Sequence, residues 1–460
     1  MDPQRRGLTL TLILIVGLLT VAPVAMLVLG SFSQGLDAFG HFTLSKYASA
    51  YADPGLWKVL FNTAVFVVGS TLLATLLALF LAYLNTRTDI PFKFLFGVLA
   101  IVPMMIPHVL FSVSWALLAN PSNGLMNLVL METFGLAKGP LNIYSMPGMI
   151  LVEGLLNMPI AYLIIAPAMA SFDVSLEESS RVFGAGAWRT LLRITLPVLR
   201  PAILAAFVLG IVRSLASYAV PRVLGVPGNE EVLATYLYEM ISIGFAPDYG
   251  KAAALGMSVL LVAVVLIWLY RRLTGEGSRF VTISSRGWRP AVVPLGRWRM
   301  PLFALVALLS FIVIVLPVVV LLYTSFVPYA MVPSREAFAA MSFKHWAAVL
   351  GDATSLLALK NSLFLAIVGA TLGVLLSLFV AYVIVKLRTR GAALLETLTY
   401  LSFAFPGIVI GIGFMWFFVQ TPLYATVTAL LIGYIATYLP YGVRPLASDF
   451  VQVHDHLEES

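Results

Sequence analysis

Residues 175–202 read SLEESSRVFGAGAWRTLLRITLPVLRPA, a polar loop between two long apolar stretches. Apolar side chains recur at helical spacing on both sides of Gly184 and Gly186, and this pattern predicts two short amphipathic helices joined by a bend. Ser175 can cap the first helix, and Pro197 is predicted to end the second. Two uses fit the pattern on physical grounds: a helix pair that rests on the lipid surface, or a docking element for a soluble partner.

The composition around this loop is that of an integral membrane protein. Of 460 residues, 60% are hydrophobic and only 11% are charged, which is far too apolar for a water-soluble chain of this length. The net charge is +7, but the basic residues lie between apolar stretches rather than on one face, which argues against nucleic-acid binding. The absence of cysteine excludes disulfides, thiolate metal sites and cysteine nucleophiles.

Ten stretches are long and apolar enough to cross a bilayer as helices, since a crossing needs about 20 such residues. They are residues 9–30, 59–84, 95–118, 147–171, 201–220, 252–270, 301–324, 361–385, 397–419 and 423–443. The first follows two arginines but is too long for a signal peptide and has no cleavage site, so we predict an uncleaved span. The last two come from one uncharged run, which we divide at Gln420 to Pro422.

Lysine and arginine residues cluster in alternate loops between the predicted spans. When the ten spans simply alternate in direction, the basic loops all fall on one side of the membrane, and the loop of residues 175–202 is among them. Basic residues in short loops mark the cytoplasmic side. The N-terminus and this loop are therefore predicted to be cytoplasmic.

The second part of the sequence matches the first at nearly constant offsets. Matched pairs are Asn62 with Asn361, Tyr83 with Tyr382 and Pro107 with Pro406 at an offset of 299, and Pro159 with Pro440 at an offset of 281. At the second offset the sequence Leu-Glu-Glu-Ser occurs at 176–179 and again at 457–460. Internal repeats are a recognised feature of transporters, and both copies begin on the cytoplasmic side, so we predict a parallel repeat.

The predicted fold is an all-α membrane protein, a polytopic helical bundle built as a parallel tandem repeat of a six-helix unit. Residues 1–290 would form the first repeat with six spans, and residues 291–460 a second repeat with four. By the logic of the repeat, a second loop of the same kind starts at Glu459 and Ser460. We therefore expect a truncated product or partial sequence, lacking the rest of that loop and two further spans.

The loop resembles the EAA loop of permeases from ABC-type importers, in which a Glu, two small residues, a Gly, an Ile and a Leu-Pro pair recur at fixed spacing. The matching positions are Glu178, Ser179, Ser180, Gly184, Ile194, Leu196 and Pro197, with Ser in place of both Ala residues. The resemblance implies that the first short helix is a coupling helix that inserts into a cleft of a separate ATPase. The match also implies that Glu178 and Gly184 belong to this coupling element. Glu459 would begin the second such loop.

Two further stretches narrow the resemblance. LNIYSMPGMILVEGL (141–155) and RSLASYAVPRVLGVPGN (213–229) resemble fused, two-in-one permeases of the ferric-iron importer group, neighbours of the polyamine, thiamine and phosphonate permeases. The resemblance implies a bacterial inner-membrane protein that imports ferric iron by alternating access, with those three substrates as alternatives. It also implies two partners, a dimer of ABC ATPase subunits that holds ATP and Mg, and a periplasmic or extracellular substrate-binding protein. The chain itself would bind no cofactor.

Glu153 and Arg213 are charged residues within the predicted fourth and fifth spans. Charges in hydrocarbon are costly and usually paired or turned to a cavity, so we hypothesise an intramembrane pair beside the translocation path. The alternative is that one or both lie at the membrane surface, because a span boundary could shift by one helical turn. No histidine or carboxylate cluster in a span has metal-ligand spacing, so no metal site is predicted. The prolines in the spans, among them Pro103, Pro107 and Pro159, are predicted to kink helices.

Two other classes of protein fit the sequence less well. A membrane enzyme would need a catalytic group, and the chain has no triad, metal motif or phosphate-binding loop, so ATP hydrolysis is expected on a separate subunit. An ion-coupled secondary transporter would show several intramembrane charges and often an inverted repeat. The parallel repeat and the loop of residues 175–202 argue against it.

Overall fold

The computed structural model describes residues 3–33, 42–171, 175–242, 248–274, 292–387, 389–401 and 407–452. In these ranges the chain is helical, and the only β-type pairings are two isolated bridges. This confirms the prediction of an all-α membrane protein. Helices dominate because a backbone in hydrocarbon must satisfy its hydrogen bonds within its own segment.

The described residues form twenty α-helices, numbered in chain order. The first ten are α1 (Pro3–Phe32), α2 (Ser45–Tyr51), α3 (Pro54–Arg87), α4 (Phe94–Met105), α5 (His108–Ala119), α6 (Leu125–Phe134), α7 (Met146–Ser171), α8 (Ser175–Val182), α9 (Ala187–Thr190) and α10 (Leu196–Ala216). The second ten are α11 (Leu233–Ser242), α12 (Tyr249–Thr274), α13 (Arg299–Ser310), α14 (Leu316–Phe326), α15 (Arg335–Ala339), α16 (Lys344–Gly351), α17 (Ala353–Tyr382), α18 (Ala392–Leu401), α19 (Gly407–Val419) and α20 (Val427–Gln452). Four π-helical turns interrupt or extend them, at Leu191–Thr195, Pro221–Gly225, Phe311–Val315 and Val383–Leu387.

Seven of the ten predicted spans are confirmed as helices long and apolar enough to cross a membrane, counted over the described ranges. These are Gln4–Phe32, Pro54–Arg87, Met146–Ser171, Trp188–Leu215, Tyr249–Leu266, Gly296–Phe326 and Ala353–Leu387. The predicted division of the last apolar run falls in the connection between α19 and α20. The predicted ninth span comprises α18 and α19, with residues 402–406 between them outside the described part of the chain.

The predicted third span, residues 95–118, is not a straight helix. It consists of α4 and α5, whose axes are bent by 101°. Ile106, between them, is extended with φ −81° and ψ 121°, because the ring of the following proline disfavours helical geometry in the residue before it. Pro107 itself lacks the N–H that would continue the helix. The kink predicted at this proline is therefore present, and it is large enough to break the span.

The described residues gather into two compact units that do not coincide with the two halves of the sequence. The first unit combines residues 1–56, 237–264 and 347–460, and the second combines residues 57–236 and 265–346. In the first unit, α1 contributes Leu12 and Val16 to a core with residues of α17, α18 and α20. In the second, α13 and the π-turn after it contribute Val306 and Val313 to a core formed mainly by α3, α5 and α7.

Each unit thus contains spanning helices from both halves of the sequence, since α1 and most of α12 belong to the first unit and α13 and α14 belong to the second. Gly30 in α1 shows how close this packing is, since a Cβ added there would lie 2.5 Å from the ring of Trp416 in α19. The absence of a side chain at Gly30 leaves room for the Trp416 ring at this helix interface. The repeat boundary at residues 290 and 291 remains a prediction.

Candidate functional site

The loop of residues 175–202 forms two helical arms around a bend. The first arm is α8, and the chain then turns at Gly184, whose φ of +81° lies in the left-handed region. Only glycine adopts that region at little cost, so the bend predicted from the sequence has its structural reason in this residue. Across the bend, the hydroxyl groups of Ser180 and Thr190 lie 3.0 Å apart and hydrogen-bond to each other. Ser180 therefore makes a link that an Ala at this position could not make.

The second arm differs from the prediction. We expected Pro197 to end a short helix, but α9, the π-turn Leu191–Thr195 and α10 follow one another without a break. Pro197 lies in the first turn of α10, directly after the π-turn, so this proline does not end the helix. The predicted positions Ile194 and Leu196 lie in the π-turn and at the start of α10. The second arm and the span that carries Arg213 are consequently one continuous helix.

Three large apolar side chains of this loop are highly exposed. Phe183 is 91% exposed, Val182 85% and Trp188 71%. Glu178 and Ser179 are exposed on the same short helix. Exposed large apolar side chains on a polar loop fit contact with a partner or with lipid. We call Val182, Phe183 and Trp188 the apolar tip.

Glu177 behaves differently from its neighbour Glu178. It is 2% exposed, and its Oε1 accepts a hydrogen bond of 2.7 Å from the Thr195 hydroxyl. The same oxygen lies 3.5 Å from Nε of Arg87. Arg87 is the last residue of α3, and its side chain is fully buried. Sequence analysis did not identify this residue. Consecutive helix positions point about 100° apart, so a buried face beside Glu178 could have been suspected, but its partners could not.

A second cluster lies within the spans. Glu153 and Asn157 are on α7, Arg213 and Ser214 on α10, Ser217 directly after α10, and Ser70 on α3. We call these six residues the polar network. Glu153 is 4% exposed and accepts hydrogen bonds from Ser217 at 2.7 Å and from Asn157 at 3.0 Å.

Glu153 and Arg213 were predicted to form a pair, and the structure places Asn157 between them. Arg213 Nε donates to Asn157 Oδ1 at 3.2 Å, while the amide nitrogen of Asn157 donates to Glu153 and, at 3.1 Å, to the Ser214 hydroxyl. Sequence analysis missed Asn157 and the serines because neutral polar residues are common in spans. The four-residue spacing of Glu153 and Asn157, which puts both on one helix face, was the available signal.

A double-mutant cycle tests the bridge. We expect Glu153→Gln and Arg213→Gln to be non-additive in thermal unfolding of the detergent-purified protein, with a coupling energy of about 1 kcal/mol, because both charges act through one amide. The cycle compares the two single variants, the double variant and the wild type. Additive effects would show that the two residues act independently.

The Glu153 and Asn157 positions of the polar network carry other residues at the matching places of the second half. At the predicted offset of 281, Glu153 and Asn157 correspond to Tyr434 and Tyr438. These tyrosines line a groove of about 560 Å³ between α17 and α20. If the two halves arose by duplication, these two positions have diverged, with Glu and Asn in the first half and Tyr at both places in the second.

The remaining predicted positions have simple outcomes. Glu459 lies outside the residues that the structure describes. Over the described ranges, no group of three or more His, Asp or Glu side chains is placed to hold a metal ion.

Comparison with known proteins places this geometry in context. Residues 54–275 match the family described as binding-protein-dependent transport system inner membrane component. A Haemophilus influenzae protein named as a ferric transport system permease is 28% identical over 98% of this chain and 70% of its own length. The ferric transport system permease protein of Actinobacillus pleuropneumoniae is 27% identical over 99% of this chain and 65% of its own length. This chain thus spans about two thirds of the length of both relatives.

A solved structure is also similar to this chain. It is a bacterial alginate ABC transporter in complex with an alginate pentasaccharide-bound periplasmic protein. The identity is 23% and the TM-score is 0.43, over 51% of this chain and 85% of the other.

Proposed function

From the match to the binding-protein-dependent transport family over residues 54–275 and the similarity to relatives along nearly all of the chain, we propose that this protein is the permease of an ABC importer and carries ferric iron inward across the bacterial cytoplasmic membrane. The choice of ferric iron rests on the two relatives named for ferric transport, which are similar along nearly all of this chain. Polyamine, thiamine and phosphonate are the alternatives within the same class. The N-terminus lies in the cytoplasm in this proposal, in keeping with the basic loops.

One observation carries the docking part of the proposal: the loop of residues 175–202 bends at a left-handed Gly184 and exposes the apolar tip. An exposed group of this kind fits a cleft on a soluble partner, where burial of apolar surface supplies most of the binding energy. The partner is a dimer of ATPase subunits, which bind and hydrolyse ATP with Mg. The permease itself takes no catalytic part.

Transport would follow from movement of the loop. A periplasmic or extracellular binding protein delivers the substrate at the outer face, and closure of the ATPase dimer displaces the loop at the inner face. Because the second arm of the loop continues into α10, the displacement acts directly on the span that carries Arg213. The polar network on α7 and α10 would then lie beside the translocation path, where buried charges of a membrane protein are usually found.

Reconstituted transport tests this function. We expect proteoliposomes that contain the permease, with the ATPase and binding protein encoded beside it, to accumulate ferric iron only when ATP is supplied to the ATPase side. The double variant Glu178→Ala, Gly184→Leu should lose co-purification with the ATPase and lose uptake, because it removes the exposed carboxylate of the coupling helix and the residue that forms the bend.

The same assay separates the alternatives. Uptake of a polyamine, thiamine or a phosphonate in place of iron would change the substrate and leave the class intact. Uptake without the ATPase, driven by an ion gradient, would contradict the proposed class and favour a secondary transporter.

A further inference from the structure

Glu177 connects three elements: α8, the end of α3 and the π-turn before α10. Its carboxylate belongs to the first turn of α8 and meets Arg87 at the end of α3 and Thr195 in the π-turn that leads into α10. All three side chains are buried, with at most 2% of each exposed. Through Glu177, α8 is therefore connected to two spanning helices, one that ends at Arg87 and one that contains Thr195.

The end of α3 is in turn hydrogen-bonded to the segment before α13. The backbone N–H of Val293 donates to the carbonyl of Arg87 at 2.8 Å, and the N–H of Leu295 donates to the Asp89 carboxylate at 2.9 Å. Arg299, the first residue of α13, lies 3.8 Å from the other oxygen of Asp89. A third spanning helix, Gly296–Phe326, is thereby connected to the same point.

We infer that Glu177 is the positioning residue through which movement of the coupling helix reaches these spans, whereas Glu178 faces the ATPase. The inference rests on the proposed function. Charge-assisted contacts shielded from water are stronger than neutral hydrogen bonds and are not weakened by salt as surface pairs are. Separating Glu177 from Arg87 would break a contact between two buried charged groups, which is destabilising. The three elements consequently move together, and ATPase closure is converted into displacement of α3 and α10.

The test measures transport per ATP hydrolysed by the reconstituted complex of permease, ATPase and binding protein. For Glu177→Gln we expect co-purification with the ATPase as in the wild type and a fall in transport per ATP of about tenfold, a typical size for coupling between sites. Thr195→Val keeps the ion pair and removes one hydrogen bond to the Glu177 carboxylate, so its expected fall is smaller, about threefold. This second variant remains informative if Glu177→Gln fails to fold.

Thr86→Val is the matched control, because the Thr86 hydroxyl bonds only within α3, to the carbonyl of Ala82, in the contact that the structure gives it. It should transport as the wild type does. Wild-type transport per ATP in both Glu177→Gln and Thr195→Val would overturn the inference, and so would loss of ATPase binding in either variant, since Glu177 would then serve docking. If the wild-type permease itself bound no ATPase, the proposed function would fail instead, so the two failures are distinguishable.

Discussion

Replacing Phe183 by Ser is expected to lower the affinity of this protein for the proposed ATPase partner about hundredfold, or by about 3 kcal/mol. Phe183 is the most exposed member of the apolar tip, at 91%. A large aromatic side chain that projects from the surface contributes little to folding, so thermal stability should change by less than about 0.5 kcal/mol. Binding is measured as the ATPase concentration that half-saturates the detergent-purified permease.

Phe134→Ser provides the matched control for this prediction. Phe134 is a 68% exposed phenylalanine at the end of α6, in a loop predicted to lie on the outer side. It should leave ATPase affinity unchanged. If both serine variants lost affinity equally, or if Phe183→Ser retained it, the loop of residues 175–202 would not be the docking element. A lipid-resting helix pair would then be the better interpretation, and binding of the loop to anionic vesicles would be the next measurement.

The second large effect is expected from Asn157→Leu. This change removes the amide that bridges Glu153 and Arg213 and that also donates to Ser214. Two charged groups inside the helix bundle would each lose a hydrogen-bond partner, and a buried charge without its partner costs about 3–5 kcal/mol. We expect the thermal unfolding of the detergent-purified protein to report a loss of about 3 kcal/mol. Transport should fall with it.

Asn85→Leu is the control, because it makes the same chemical change on another spanning helix. The Asn85 amide donates to the Tyr162 hydroxyl at 2.6 Å and joins two uncharged groups. Loss of one neutral hydrogen bond costs about 1 kcal/mol. Equal losses of stability in the two variants would show that the polar network has no special energetic role, and that the charges of Glu153 and Arg213 are solvated in some other way.

The helices of this protein follow from its sequence with little help from tertiary contacts. A run of about 20 apolar residues in a bilayer has only one way to satisfy its backbone, whatever lies beside it. That is why stretches such as 59–84 and 147–171 were predicted within a few residues of α3 and α7. The bend at Gly184 is equally local, since it depends on the freedom of a glycine to adopt positive φ. Pro107 indicated a kink, but its size depended on where α4 and α5 pack.

Tertiary structure decided what the side chains do. Glu177 and Glu178 are the same type of residue and adjacent on one helix. Glu177 is nevertheless buried against Arg87, whereas Glu178 is exposed. Which face of a short helix turns inward depends on partners that lie 90 residues away along the chain. The bridge through Asn157 and the placement of α1 with α18 and α19 have the same origin. Local preference and hydrophobicity fix where helices form, whereas hydrogen bonds and ion pairs between them exist only once the helices are packed.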